Sequence, residues 1–159
     1  MSFRSAVEAA QYILQVDELS AEFTRKPINY IKLQALLYFM QVQWLKDTGS
    51  VCFDDKIYVD TNTNAPYIDD IWRVYSSNGN KPIQIFKRDY GTKVQVVFPT
   101  ADTGSHDRAY KILYSCRKYD GADLFDIIRN STEFKESQSE YNGRSIVSID
   151  MLKTKLVNE

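Results

Sequence analysis

A chain of 159 residues with 43% apolar and 26% charged side chains suits one domain, residues 1–159, because a chain of this length buries about 70% of its unfolded surface without staples. A net charge of −1 argues against the basic footprint of a nucleic-acid binder, and two cysteines, Cys52 and Cys116, outside any C-x-x-C exclude a disulfide scaffold and point to a reducing cytoplasm. No apolar run reaches the roughly 18 residues of a membrane span, so no membrane partner is expected, and Glu8 and Gln11 interrupt the first apolar residues in a way a signal peptide does not.

Phe3, Ala6, Ala10, Ile13 and Leu14 recur at helical spacing, which predicts an amphipathic helix over Ser2 to Val16. Asp17 to Lys26 is polar and ends before Pro27, so a turn or loop is expected there. Asn29 is a good N-cap, Ile28 can staple onto Leu33, Lys46 suits a helix C-terminus and Gly49 can turn left-handed just beyond it. The next helix therefore runs from Tyr30 to Thr48. On its wheel Leu33, Leu36, Leu37, Met40 and Trp44 make one apolar stripe, and Ile31, Tyr38, Val42 and Leu45 make another opposite it. Gln34 and Gln41 separate the stripes on one side, and Lys32, Gln43 and Lys46 on the other. A helix apolar on two faces belongs between two layers, so this one is expected to be the structural hub, organised by Asn29, Leu33, Gln34, Leu37, Tyr38 and Trp44. Gln34 and Gln41, one heptad apart, read as core-lining amides that hydrogen-bond loop backbone.

Lys56 to Val59 reads as a short strand and Thr61 to Ala65 as turn chemistry. Pro66 then opens a predicted helix with Ile68, Ile71, Trp72 and Tyr75 along one side, ended by Asn78-Gly79. Ile83 to Arg88 and Val94 to Phe98 alternate as strands, joined through Asp89-Tyr90-Gly91-Thr92, and this hairpin can pair with the Lys56 to Val59 strand. A third long helix is expected from Ser105 to Lys118 with Ser105 as its cap. Asp120-Gly121 breaks the chain, and Ala122 to Arg129 is a short helix. Ser131 to Asn142 is polar and reads as loosely structured, with one turn around Phe134 to Gln138. Ile146 and Val147 suggest a brief strand, and Ser148 caps a last helix with Met151, Leu152 and Leu156 inward. The fold class is therefore α+β and mostly helical: a buried central helix surrounded by helices, with a small antiparallel sheet or hairpin.

The run from Ile28 to Gly49, with Ile-Lys-Leu-Gln, then Leu-Leu-Tyr-Phe, then Thr-Gly, resembles the signature helix of the Panacea antitoxin family, the SocA-like and GepA-like phage-associated bacterial proteins. The family pattern continues with an acidic strand, a Trp and Gly-Pro-Val region, a helix, and a C-terminal Thr-His, Pro-Trp-Lys and Ile-Ser-Ile region. Phe53 to Tyr75, Ser131 to Lys135 and Ile146 to Leu156 fall where these belong, so the resemblance spans most of the chain. It departs where Ala65-Pro66-Tyr67 stands for Gly-Pro-Val, where the preceding strand has no Trp, and where Phe134 has no His beside it, as in a divergent member. The resemblance implies the antitoxin of a toxin–antitoxin pair, neutralising a cognate protein toxin by steric contact in a hetero-oligomer. Translation-blocking relatives of toxic small alarmone synthetases are among the toxins it implies. The SocA branch implies an alternative, a proteolytic adaptor that delivers its partner to a protease.

The residues themselves show no active site. His106 is the sole histidine, and Ser105, His106 and Asp107, being consecutive at a helix start, point in different directions and cannot form a triad. The pairs Asp54/Asp55 and Asp69/Asp70 suit hydrated loop and helix-start positions; an Asp-dependent hydrolase or transferase is the enzymatic alternative. No glycine loop cradles phosphate and no nucleophile elbow is present, so no catalytic residue, metal or cofactor is assigned. Charge is uneven: Phe53 to Asp70 carries five carboxylates against Lys56, a net −4, and Lys81 to Lys93 carries a net +3. Eleven tyrosines in 159 residues is a high share; most read as core aromatics, while Tyr also suits a recognition surface because it offers apolar area plus a hydroxyl at low entropic cost. The expected partner surface is Tyr67, Asp69, Asp70, Trp72 and Tyr75, with Lys87 and Arg88 of the basic hairpin second.

Overall fold

A computed structural model describes residues 3–19, 26–84, 88–89, 92–93 and 103–157 of the chain. The elements follow the order α1 (Ala6–Leu19), α2 (Tyr30–Thr48), β1 (Tyr58–Val59), β2 (Pro66–Tyr67), α3 (Asp69–Tyr75), a 3-10 turn (Ser76–Asn78), β3 (Arg88–Asp89), β4 (Thr92–Lys93), α4 (Thr103–Cys116), α5 (Gly121–Asn130), α6 (Thr132–Lys135), β5 (Gln138–Tyr141), β6 (Arg144–Val147) and α7 (Ile149–Val157). The mostly helical α+β class is as the sequence predicts.

The bounds of α2 are those its caps dictate. Asn29 is extended and its side chain accepts from Lys32 N at 2.9 Å, while Gly49, at φ 72°, donates its N–H to Leu45 O at 3.0 Å. The first stripe, Leu33, Leu36, Leu37, Met40 and Trp44, is buried, and on the second Tyr38 and Leu45 are buried and Val42 partly so. Helices α1, α3, α4, α5 and α7 and strand β2 all pack on it, which makes it the hub. Ile31 departs from its predicted stripe; it stands 39% exposed at the open end of the helix. Lys32 departs too, being buried with its Nζ donating to Lys26 O at 3.0 Å.

Gln34 and Gln41 occupy the buried line between the stripes and each holds a loop by both faces of its amide. Gln41 donates to Phe53 O at 3.0 Å and accepts from Cys52 N at 2.6 Å; Gln34 donates to Ile68 O at 3.2 Å and accepts from Ile68 N at 2.9 Å. The segments before β1 and at the entry to α3 therefore hang on α2.

The remaining differences from the sequence reading have local causes. Helix α1 begins at Ala6, because Ser5 Oγ accepts from Glu8 N at 3.1 Å and Asp55 accepts from Ala6 N at 2.9 Å, leaving Phe3 outside the helix against Tyr12 and Trp44. Pro66 opens no helix: it lies on the edge strand of the sheet opposite Val59, where its missing N–H costs no ladder bond, and α3 starts at Asp69. The break at Asp120-Gly121 is as predicted, and the helix after it starts one residue earlier than expected, at Gly121. Asp120 and Asp123 form a capping box, and a Cβ on Gly121 would lie 2.6 Å from Ile31 Cγ2 and 2.7 Å from Lys32 N, so glycine lets α5 abut α2.

The four-stranded sheet has the order β2-β1-β6-β5, all antiparallel. Its second hairpin comes from a stretch expected to be loose: Asn142 (φ 51°) and Gly143 (φ 78°) are both left-handed, the requirement of a two-residue type I′ turn. With β1 flanked by β2 and β6, the Arg88–Lys93 hairpin pairs as a separate two-stranded sheet instead of joining it; the flanks predicted over residues 85–87 and 94–98 lie outside the described residues. Helix α4 starts two residues before its predicted cap, so Ser105 is buried within it. In α7, capped by Ser148 Oγ, Leu152 and Leu156 point inward but Met151 is 42% exposed.

Gln41→Ala is expected to destabilise the protein by about 2–4 kcal/mol in urea melts, since it opens a cavity and orphans two buried backbone groups. Tyr38 gives the contrasting case. Its buried hydroxyl, near Ser131, makes no well-formed hydrogen bond among the described residues, and burial drives the phenol pKa far up. Tyr38→Phe is therefore expected to be neutral or stabilising by up to about 1 kcal/mol, keeping the edge-on contact with Phe134.

Candidate partner-binding surface

Alternation along the four-stranded sheet turns Val59, Pro66 and Val147 into the core and leaves Tyr58, Tyr67, Tyr141 and Arg144 on the outer face. Arg144 is fixed there on several sides. Its guanidinium lies 3.5 Å from the centre of the Tyr58 ring, donates to both oxygens of Asp69 at 2.9 Å and to the Tyr67 hydroxyl at 2.7 Å. Tyr58 and Tyr67 face each other across β1 and β2 with centroids 5.8 Å apart. Beside them Lys56 Nζ sits 4.3 Å over the exposed Tyr141 ring. The result is a row of stacked rings and cations whose rotamers are set before any partner arrives.

The hydrogen bonds from Arg144 hold the Asp69 carboxyl below its usual range, opposed by partial desolvation, and the same bonds raise Arg144, keeping it protonated. The pair is 42% and 44% exposed, so it orders the surface more than it stabilises the fold.

Next to this row lies a cleft of about 710 Å³, with Tyr30, Ile31 and Phe125 as apolar walls and Tyr67, Asp69 and Trp72 along one lip. Trp72 is 59% exposed, although the helical period placed it with the buried Ile68 and Ile71. A helix of seven residues presents a narrow inward face, which Ile71 fills, so the indole has no core position to take. Asp60 closes the far end, its carboxylate accepting from Asn62 N at 2.8 Å and Thr63 N at 3.3 Å. Arg129 ties the same loop to α5 through Thr63 O at 2.8 Å and is paired with Asp126 at 2.6 Å.

Of the residues the sequence nominated, Tyr67, Asp69 and Trp72 meet at this lip. Asp70 turns to Arg73 within α3, and Tyr75 is half-buried and does not line the cleft; burial raises its phenol pKa. Arg88 is described only as backbone in β3, and Lys87 lies outside the described residues. Sequence reasoning missed Tyr58, Arg144 and Tyr30. The Asn142-Gly143 dipeptide was the available signal for Arg144, since a type I′ turn fixes the register that brings β6 beside β1.

The other acidic pair does structural work: Asp55 caps α1 while Asp54 is exposed. His106 is exposed on α4, its ring 6.5 Å from that of Tyr110. Both cysteines are buried free thiols, burial pushing Cys116 up to about 11 and Cys52 higher still. Among the described residues no group of three His, Cys, Asp or Glu side chains is placed to hold a metal, and no helix is long and apolar enough to cross a membrane. Compared with family models, curated proteins and solved structures, the chain matches none.

The depressed carboxyl gives a pH test. The pair's contribution is complete above the unfolded Asp pKa of about 3.9 and is lost as pH falls through the lower folded value, so the Asp69 carboxyl resonance should titrate below that figure. In Arg144→Ala its midpoint should return to the ordinary carboxylate range, with a stability loss under about 1 kcal/mol.

Proposed function

We propose that this protein is the antitoxin of a toxin–antitoxin pair, working in the cytoplasm by covering the active surface of a cognate protein toxin in a hetero-oligomer. The observation that carries the proposal is the exposed indole of Trp72 at the lip of an open cleft, beside a row of tyrosines and cations fixed in place by Arg144 and Asp69. Trp, Tyr and Arg are the side chains that most often dominate protein–protein binding energy, and rotamers fixed in advance lower the entropic cost of docking. The resemblance of the Tyr30–Thr48 helix to the Panacea signature gives this binding surface its antitoxin reading, with an enzyme related to toxic small alarmone synthetases as one candidate toxin.

The mechanism is steric. Trp72 would enter an apolar pocket of the toxin, the carboxylates of Asp60 and Asp69 would face its basic groups, and no bond would be made or broken. A proteolytic adaptor differs in outcome, since it would lower the toxin's abundance, whereas a steric antitoxin leaves that abundance intact.

Co-expression with the product of the adjacent open reading frame should restore growth and yield a co-purifying complex with undiminished toxin. Trp72→Ala is expected to weaken that complex by at least about 2 kcal/mol, some 30-fold in Kd by titration calorimetry, without changing the melting temperature. Neutralisation surviving the double change Asp69→Lys and Asp70→Lys would remove this surface from the proposal.

A further inference from the structure

Further along α2, past the cleft, a second depression of about 560 Å³ lies between α2, α4 and α5. Phe39 and Val42 of α2 and Leu124 of α5 form its apolar floor, and Tyr114 and Ile127, 49% and 45% exposed, stand at its rim. The charge of its described lining is of one sign. Among the described residues Lys46 and Lys111 line it, both exposed and neither in an ion pair, and no carboxylate does. At the end of α4 two further cations are stacked on the aromatic rim, Arg117 3.9 Å over the Tyr114 ring and Lys118 5.5 Å over the Tyr119 ring. Acidic groups on the same helices are engaged elsewhere or stand outside: Asp47 pairs with Arg108 at 3.1 Å, Asp123 closes the α5 capping box, and Asp107 lies one turn before Lys111 without lining the groove.

We propose that this groove docks an acidic amphipathic helix of a partner protein, apolar side chains on the floor and Asp or Glu side chains toward Lys46, Lys111 and Arg117. The walls are three helices, which offer no free strand edge for an extended peptide to pair with, so a helix laid along the furrow is the backbone form that fits. Charge complementarity selects its sign: two unpaired lysines flanking an apolar floor attract a carboxylate-bearing face and repel a basic one. The groove shares α5 with the Trp72 cleft but none of its lining residues.

The test uses the full chain and two fluorescein-labelled synthetic helices of about four turns, with Leu at helical spacing on one face and either Glu or Lys at every other position. Fluorescence anisotropy should show the Glu peptide binding and the Lys peptide binding about tenfold or more weakly, with the difference shrinking as salt rises. Ile127→Asp should abolish binding, the double change Lys46→Glu and Lys111→Glu should reverse the preference toward the Lys peptide, and Trp72→Ala should change nothing. All of these side chains are exposed, and the reversed preference is itself proof that the variant is folded. Equal binding of both peptides, binding of neither, or an Ile127→Asp variant that still binds would overturn the proposal, as would a concentration-dependent dimer broken by Ile127→Asp, which would give the groove to a second copy of the chain.

Discussion

Two amide side chains on one buried helix carry much of the architecture. Gln34 and Gln41 sit a heptad apart on α2: Gln41 pairs the Cys52 N–H and the Phe53 C=O, and Gln34 pairs the Ile68 N–H and adds a second donor to the Ile68 C=O, which also accepts from Trp72 N. A leucine would pack as well but would orphan two loop groups at position 41 and the Ile68 N–H at position 34. Because the amides dictate where the loops before β1 and α3 cross the hub, they also dictate where the sheet begins and where Trp72 emerges. The scaffold is thus specified by polar contacts embedded in an apolar rod, and the surface inherits its geometry from them.

That surface depends on residues far apart in sequence. Tyr58, Tyr67, Asp69 and Arg144 come from β1, β2, α3 and β6, and the antiparallel register brings them together, Tyr58 lying opposite both Tyr67 and Ile146. Arg144 is the member that links the rest, since its flat cation can stack on a ring and chelate a carboxylate at once, which a lysine cannot do. Its cost is low because the site is half open to water. Rigidity therefore comes from geometry, with little contributed to stability.

The two concave regions differ in character. The cleft beside Trp72 is edged by Asp60 and Asp69, while the groove between α2, α4 and α5 is edged by Lys46 and Lys111. Both are aromatic and both draw on α2 and α5, so a chain with net charge −1 can present two unlike faces to two unlike partners. In the proposed antitoxin role one face would grip a toxin while the other would engage a different segment of it or another protein.

Local chemistry settled the hub in advance: Asn29 and Gly49 bound α2, its two apolar stripes require a layer on each side, and the spacing of Gln34 and Gln41 announces loop contacts. Capping and periodicity are short-range effects, legible from a few neighbouring residues. The strand at Pro66 and the first strand of the hairpin over 138–147 were misread or passed over because each is decided by a distant partner: an edge position in a sheet and a neighbouring strand. The same holds for the site. Sequence could nominate Tyr67, Asp69 and Trp72 by type and charge, but only the tertiary structure could expose Trp72, retire Asp70 and Tyr75 to local roles, and bring Arg144 across more than seventy residues to Asp69. Long-range pairing, which no local pattern encodes, made that choice.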